Sequence, residues 1–236
     1  MYFQGKTWRK VSQKVIEQLN TLPDIRDSLL VVAFSGGQDS VFLLAALSEL
    51  KKKYKYELFP LYINHKLIPE DALYEKLAIL TAKKLGLECA VAIIKLKPKG
   101  RNSEEWMREE RYRLLEAYRR KTGADYITVA HHEDDQAETV LARILRGCGP
   151  KGLSAMSFRR GKIIRPIINV PKADVEILIR GINLPYYNDK LNYSLDYQRN
   201  KIRHELLPYL KKSFNSQISS CLVKLANAAR SRIEKY

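Results

Sequence analysis

The chain has 236 residues, 45% of them hydrophobic and 29% charged, which is enough apolar material for one large domain or a domain with a small appendage. Its net charge of +16 is unevenly placed: residues 151–236 carry 17 Lys and Arg against 6 Asp and Glu, a surplus of 11, so a polyanion such as nucleic acid is expected at that end in preference to a membrane surface. No apolar run reaches membrane-spanning length, no signal peptide opens the chain, and Cys89, Cys148 and Cys221 form no Cys-x2-Cys pair, so a soluble protein with reduced thiols is expected, without zinc-ribbon, iron–sulfur or disulfide framework.

Met1–Gly5 resembles the remnant of a protease-cleavable tag and is set outside the fold. Trp8 to Asn20 reads as a helix with Val11, Val15, Ile16 and Leu19 on one face. Leu29 to Phe34 is an apolar run of strand length, and Val41 to Leu47 continues with helical character. Between them lies Ser35-Gly36-Gly37-Gln38-Asp39-Ser40. Two adjacent glycines can take positive φ and let several backbone N–H groups converge at a helix start, where the dipole already favours an anion. The hydroxyls of Ser35 and Ser40 add donors, so this turn reads as a phosphate site, against the plainer reading of a turn capped by Asp39 or Ser40.

A second strand is expected at Leu58–Ile63, a helix from about Pro69 to Leu85 stopping at Gly86, and a third strand at Glu88–Ile94. A loop over 95–103 leads to a helix from Glu104 to Tyr118, with Ser103 as its cap and with Arg108 and Arg111 on it, where a solvated, salt-bridged face is the plain reading of the arginines. The fourth strand, Asp125–Ala130, feeds a second polar turn and helix, His131-His132-Glu133-Asp134-Asp135-Gln136-Ala137-Glu138. Its carboxyl end is expected on the same side of the sheet as the phosphate loop. Asp135 and Glu138 are three apart, on one helix face, and suit a cation or a metal held jointly. A glycine-rich bend follows over 147–156, then at most a short edge strand at Ile163–Ile167 because of Pro166, and a helix Lys172–Arg180 stopped by Gly181. Leu184–Pro208 is polar and aromatic rather than periodic until about Tyr197, and Ile218–Tyr236 reads as a helix. The alternation implies an α/β fold with a doubly wound parallel sheet and a C-terminal helical extension.

The turn Ser35–Ser40 resembles the SGGxDS loop of the ATP-pyrophosphatase (PP-loop) superfamily, which cleaves ATP between its α and β phosphates and includes GMP, NAD, asparagine and argininosuccinate synthetases besides tRNA-modifying enzymes. It is no Walker loop, since Gly-x4-Gly-Lys-Ser/Thr does not occur. Trp106–Tyr112, His131–Thr139 with Leu145-Arg146-Gly147 and Gly152-Leu153, and Arg199–Pro208 follow in an order that resembles the tRNA(Ile)-lysidine synthetase family from about Leu30 to Pro208. The resemblance implies an adenine nucleotide alpha-hydrolase-like catalytic domain over 6–208 with a helical extension over 209–236. It implies ATP and Mg²⁺ as cofactors and, as partners, free L-lysine and an isoleucine tRNA with a CAU anticodon, in the cytoplasm or a plastid stroma. Oligomeric state is left open, a homo-oligomer included.

By that resemblance Ser35, Gly36, Gly37, Gln38, Asp39 and Ser40 hold the nucleotide and Asp39 positions Mg²⁺. Asp135 and Glu138 bind the lysine ε-ammonium, Arg108 or Arg111 stabilises phosphate or the activated base, and His131 or His132 takes part. Arg199, Asn200 and Arg203 contact tRNA backbone or close the site. Two motifs depart from the family: His65-Lys66-Leu67-Ile68 lacks an arginine, and Asp189-Lys190-Leu191-Asn192 lacks a serine. Many relatives also carry a further C-terminal domain, whereas about 28 residues follow Pro208 here; in a truncated form weaker tRNA affinity is expected. A tRNA thiolase of the same superfamily is the alternative enzyme, disfavoured by the lack of paired cysteines. A non-catalytic nucleotide- or tRNA-binding module is the alternative outside catalysis, disfavoured by the presence of Asp39, Asp135 and Glu138.

Overall fold

The computed structural model describes residues 2–65, 70–94, 103–187 and 198–233, with backbone alone at 103 and 104. The motif positions Lys66–Ile68, the loop over 95–102, the Ser103 cap, the Asp189–Asn192 segment and the tail 234–236 lie outside the described residues.

Helix α1 (Gly5–Leu19) comes first and buries Val11, Val15 and Leu19 of the predicted stripe together with Trp8, while Ile16 is half-buried beside them. Its start lies earlier than expected, and the segment set aside as a tag remnant takes part in the fold: Phe3 is buried with its ring 4.6 Å from that of Trp8 and 5.6 Å from that of Phe42. Strand β1 (Leu29–Ala33) and helix α2 (Gln38–Tyr54) flank the phosphate loop. Then follow β2 (Glu57–Asn64), α3 (Asp71–Lys84), β3 (Ala90–Ile93), α4 (Ser103–Thr122), β4 (Tyr126–Thr128), α5 (Glu133–Leu145) and the single turn α6 (Pro150–Leu153). The strands β5 (Arg159–Arg160) and β6 (Ile163–Ile164) and helix α7 (Lys172–Arg180) complete the sheet layer. Helices α8 (Gln198–Lys201), α9 (Leu207–Ser213) and α10 (Ile218–Ile233) follow, and a π-helical stretch, Ile202–Leu206, joins α8 to α9.

The sheet order is β3-β2-β1-β4-β6-β5, parallel except for β5 against β6. Alternation along the strands feeds two cores. Leu30, Val32, Leu58 and Tyr62 face α1, α2 and α7, while Val31, Leu61, Ile63 and Ile127 face Trp106 and Leu115 of α4. Helix α2 is buried at every residue from Ser40 to Leu47, so its apolar character on all sides reflects cover by the sheet below and by α1 and α7 above. A third cluster joins Ala137, Val140 and Leu141 of α5 to Leu222 and Ala226 of α10, with Ile202 and Leu207 between them. Among the described residues no helix is long and apolar enough to cross a membrane.

One strand expectation changes. Ile163–Ile164 is an interior strand, paired to β4 on one side and β5 on the other, because Pro166 falls just after the ladder and a turn with Gly161 at φ 61° brings β5 back. The chain is helical from Gln198 onward, where the aperiodic stretch is expected to end, and passes through the π-helical turn on the way to α9.

Candidate active site

The order in which strands are added to the sheet reverses between β1 and β4, whose carboxyl ends lie side by side, and such a switch point is where open α/β sheets bind ligands. Both polar turns emerge there. After β1, Gly36 takes φ 78° and Gly37 is the extended N-cap of α2, so neither Asp39 nor Ser40 caps that helix. The loop is braced from within: Gly37 N–H donates to Ser35 Oγ at 3.3 Å, Ser35 Oγ to Ser40 Oγ at 3.1 Å, and Ser40 Oγ to the Gly37 carbonyl at 2.9 Å. Val41 N–H closes the first helical bond to Gly37, so the N–H groups of Gln38, Asp39 and Ser40 lie in the turn that has no intrahelical acceptors. Such a turn attracts a phosphate.

A second layer was not expected. Tyr187 donates its N–H to the Gly36 carbonyl at 3.1 Å and stacks on Tyr74 with ring centres 3.9 Å apart. A Cβ on Gly36 would stand 2.8 Å from Tyr187 Cε1, so glycine is required here by close approach as well as by φ. No spacing in the sequence links residues 74, 36 and 187.

After β4, His132 caps α5. Its Nδ1 accepts from Asp135 N–H at 3.3 Å, and Asp135 Oδ2 accepts from His132 N–H at 3.0 Å. Nδ1 is thereby an acceptor, which places the imidazole proton on Nε2, 3.6 Å from Asp39 Oδ2 and 3.5 Å from Asp135 Oδ2. His132 is thus the side chain that joins the two turns. Burial pushes its pKa down, but Asp135 and Asp39 outweigh it and the net direction is upward. His131, its neighbour, is pushed the other way, to about 4, chiefly by burial and with Arg165, Arg199 and Arg108 adding to it against Asp135. Of the two histidines, the structure gives the bridging position to His132 and leaves His131 neutral.

Asp135 and Glu138 lie on one face of α5, as their spacing predicts, and are buried at 6% and 2% exposure. They receive both arginines of the C-terminal motif. Arg203 Nε meets Glu138 Oε1 at 2.6 Å and its Nη2 meets Asp135 Oδ1 at 2.8 Å, while Arg199 reaches the same carboxylates at 3.1 and 3.0 Å. Burial raises the Asp135 pKa, but His132, His131 and the two arginines more than reverse it, so it stays ionised. Both arginines thus lie over the carboxylate pair. Asn200 lies between them on α8.

Lys172 was missed. The first residue of α7, it donates to Gln38 Oε1 at 3.1 Å and forms an ion pair with Asp39. Burial raises the Asp39 pKa, and His132 and Lys172 bring it below the usual value. The available signal was its position: a lysine at a helix start opposes the dipole and calls for an anion nearby. Arg108, exposed on α4, lines a cleft of about 430 Å³ together with His131, Glu138 and Arg199, whereas Arg111 is not part of that lining. Elsewhere α4 carries the expected salt-bridged face, as in Arg113 with Glu110 and Arg119 with Glu116.

For Mg²⁺ the donor set is sparse: among the described residues no group of three His, Cys, Asp or Glu is gathered for a metal. Mg²⁺ in nucleotide sites is commonly held by one or two carboxylates together with phosphates and water. Asp39, within the phosphate loop, fits that pattern and not a resident cage.

Residues 9–210 match the model of the PP-loop domain. Among curated proteins, the chain is 38% identical over 213 residues to the tRNA(Ile)-lysidine synthase of Clostridioides difficile (strain 630), covering 86% of this chain and 45% of that protein. It is 31% identical to the namesake of Thermotoga maritima, with 84% and 49% covered. The chain thus spans about half the length of these curated relatives. Among solved structures, the U34-tRNA thiolase NcsA of Methanococcus maripaludis superposes with a TM-score of 0.79 at 18% identity over 94% of this chain and 79% of the other. The NH3-dependent NAD synthetase of Campylobacter jejuni does so at 0.54 and 15%, over 94% and 95%. At those identities the two structures speak for the fold alone. With its glycine loop at the switch point of a parallel sheet and a family match over most of its length, the chain belongs to the PP-loop domain family.

Proposed function

We propose that this chain is the ATP-using part of a tRNA(Ile)-lysidine synthase, with residues 6–208 as catalytic domain and 209–236 as a C-terminal extension whose helix α10 packs against α5. The observation that carries the reading is the side-by-side placement of a phosphate loop and a buried carboxylate pair, linked by His132. The sequence match to proteins of that name supports it.

In this reading the backbone of Ser35–Ser40 holds the pyrophosphate part of ATP and Asp39 holds Mg²⁺, which supplies charge neutralisation at the phosphates. O2 of the wobble cytidine of a CAU-anticodon tRNA attacks the α phosphorus, the Pα–O–Pβ bond breaks, and pyrophosphate leaves. The ε-nitrogen of free L-lysine then attacks C2, and AMP leaves with the former O2. Lysine must lose a proton to attack: bringing a free amine from pKa about 10.4 to pH 7 costs about 4.6 kcal/mol. Asp135 and Glu138 bind the ammonium, and one of them takes its proton as the new bond forms. Arg199 and Arg203 occupy those carboxylates before lysine arrives, and must move to admit it. Arg108, at the cleft wall, stabilises the adenylated intermediate. Neutral His131 helps to orient the base.

The test is the fate of ATP. With tRNA and lysine present, AMP and pyrophosphate should form in equal amounts, and Asp135→Asn should abolish lysine-dependent turnover. ADP and phosphate as products, or an undiminished Asp135→Asn variant, would sink the reading.

A further inference from the structure

The cleft beside the carboxylate pair has a cationic wall. Arg108 comes from α4, Arg143 from α5 and Arg146 from its C-cap, Arg160 from β5, Arg165 from the turn after β6, and Arg199 from α8. Among the described residues, Glu138 is the one carboxylate in the lining, and Arg203 and Arg199 already engage it. Other arginines of the wall meet neutral groups: Arg143 donates to the Gly152 carbonyl at 2.5 Å, Arg146 to the Ala142 carbonyl at 3.0 Å, Arg165 to the Ser157 carbonyl at 2.9 Å, and Arg108 lies 5.3 Å from the Tyr112 ring centre.

Arg165 is the informative member. Its residue is 4% exposed, yet its Nε is buried without a hydrogen-bond partner among the described residues. Burial lowers its pKa, and Arg108 and Arg160 nearby lower it further against the pull of Tyr112. Keeping a guanidinium at the bottom of a cleft among like charges, with a donor unused, makes physical sense when an anion completes the site. A guanidinium fork matches the oxygens of phosphate. The cleft has the size of sites that take a nucleotide-sized ligand, beyond the needs of a lone ion.

We propose that this cleft is a phosphodiester subsite for an RNA strand, with Arg165 at its floor and the exposed Arg146 and Arg160 at its rim. It holds the backbone beside the nucleotide presented to Asp135 and Glu138, separate from the nucleotide-phosphate loop. The assignment rests on the proposed function only for the identity of the strand.

Fluorescence anisotropy with a labelled anticodon stem-loop RNA, at several salt concentrations and without ATP, tests it. Removing one phosphate-neutralising charge should lower the slope of log affinity against log salt by about 1, so the double variant Arg146→Gln, Arg160→Gln should drop by about 2 in slope and bind about 10- to 100-fold more weakly. Its ATP affinity, measured by calorimetry, should stay within twofold of the parent. Arg165→Lys keeps the charge and loses the fork, and should weaken RNA binding while circular dichroism stays native; if that variant does not fold, the rim pair still decides. A hairpin with a scrambled loop that binds as well, with the same dependence on Arg146 and Arg160, would support the subsite while defeating the CAU-tRNA reading. A double variant with unchanged affinity and slope overturns the proposal. So does a double variant that loses ATP affinity instead, which would assign the cleft to the nucleotide's own phosphates.

Discussion

Replacing Glu138 by glutamine removes one negative charge from a cluster in which two carboxylates face two guanidiniums. In the native protein Glu138 is 2% exposed and accepts from Arg203 Nε at 2.6 Å, Arg203 Nη2 at 2.9 Å and Arg199 Nε at 3.1 Å. Breaking a fully buried ion pair by removing one partner costs roughly 3–5 kcal/mol. Both arginine side chains keep about a third of their surface in water, at 31% and 39%, and Asp135 still binds each of them. The glutamine carbonyl also retains one acceptor. A loss of about 1.5–3 kcal/mol is therefore expected, the lower end reflecting solvent screening. Urea unfolding should show a lower midpoint at constant slope, and the melting temperature should fall by roughly 4–10 °C for a chain of this size. Asp135→Asn should cost more than Glu138→Gln, because Asp135 Oδ2 also completes the cap of α5. A Glu138→Gln loss below about 0.5 kcal/mol would refute the pairing as a feature of the protein in solution.

Gly36→Ala should destabilise by about 1–3 kcal/mol and weaken ATP binding, since it combines a φ of 78° with an approach of 2.8 Å to Tyr187; unfolding and nucleotide titration check both, and a neutral effect would contradict the close packing. Lys172→Met should lower ATP affinity about tenfold, or about 1.4 kcal/mol, by removing the ammonium paired with Asp39; unchanged calorimetric affinity would exclude Lys172 from the site. His131 makes the folded protein less stable in acid: its pKa is about 4 when folded against 6.5 when unfolded, so the unfolded chain binds the extra proton between those values. Stability from this residue is complete above pH 6.5 and falls toward pH 4 by up to about 3 kcal/mol. His131→Gln should flatten that limb of the stability curve, and an unchanged slope would show that His131 is not buried neutral.

Which parts of this were legible in the sequence depends on how far apart the cooperating residues lie. The phosphate loop is local: six consecutive residues carry its glycines, hydroxyls and carboxylate, and strand and helix patterns flank them. Asp135 and Glu138 were readable for the same reason, as neighbours one turn apart on α5. The partners of these groups come from afar. Lys172 reaches Asp39 across 133 residues, and Arg203 reaches Glu138 across 65. Composition shows that such arginines are numerous, and their family order suggests the site, but only the packing of α8 and the π-helical turn against α5 shows that they cover the carboxylates. The stack of Tyr187 on Tyr74 under Gly36 is likewise a product of tertiary packing. Phe3 was discarded because the residues around it resemble a tag, a judgement of origin that says nothing of the apolar pocket between Trp8 and Phe42.

Incorporation of lysine into RNA tests the central claim most directly. The protein, ATP, Mg²⁺, radiolabelled lysine and an isoleucine tRNA transcript with a CAU anticodon are incubated together, and the RNA is digested and resolved by nucleoside. Label is expected in a single modified cytidine at the wobble position, dependent on ATP and lost with Asp39→Asn or Asp135→Asn. A folded protein that consumes ATP but leaves the tRNA unlabelled would contradict it.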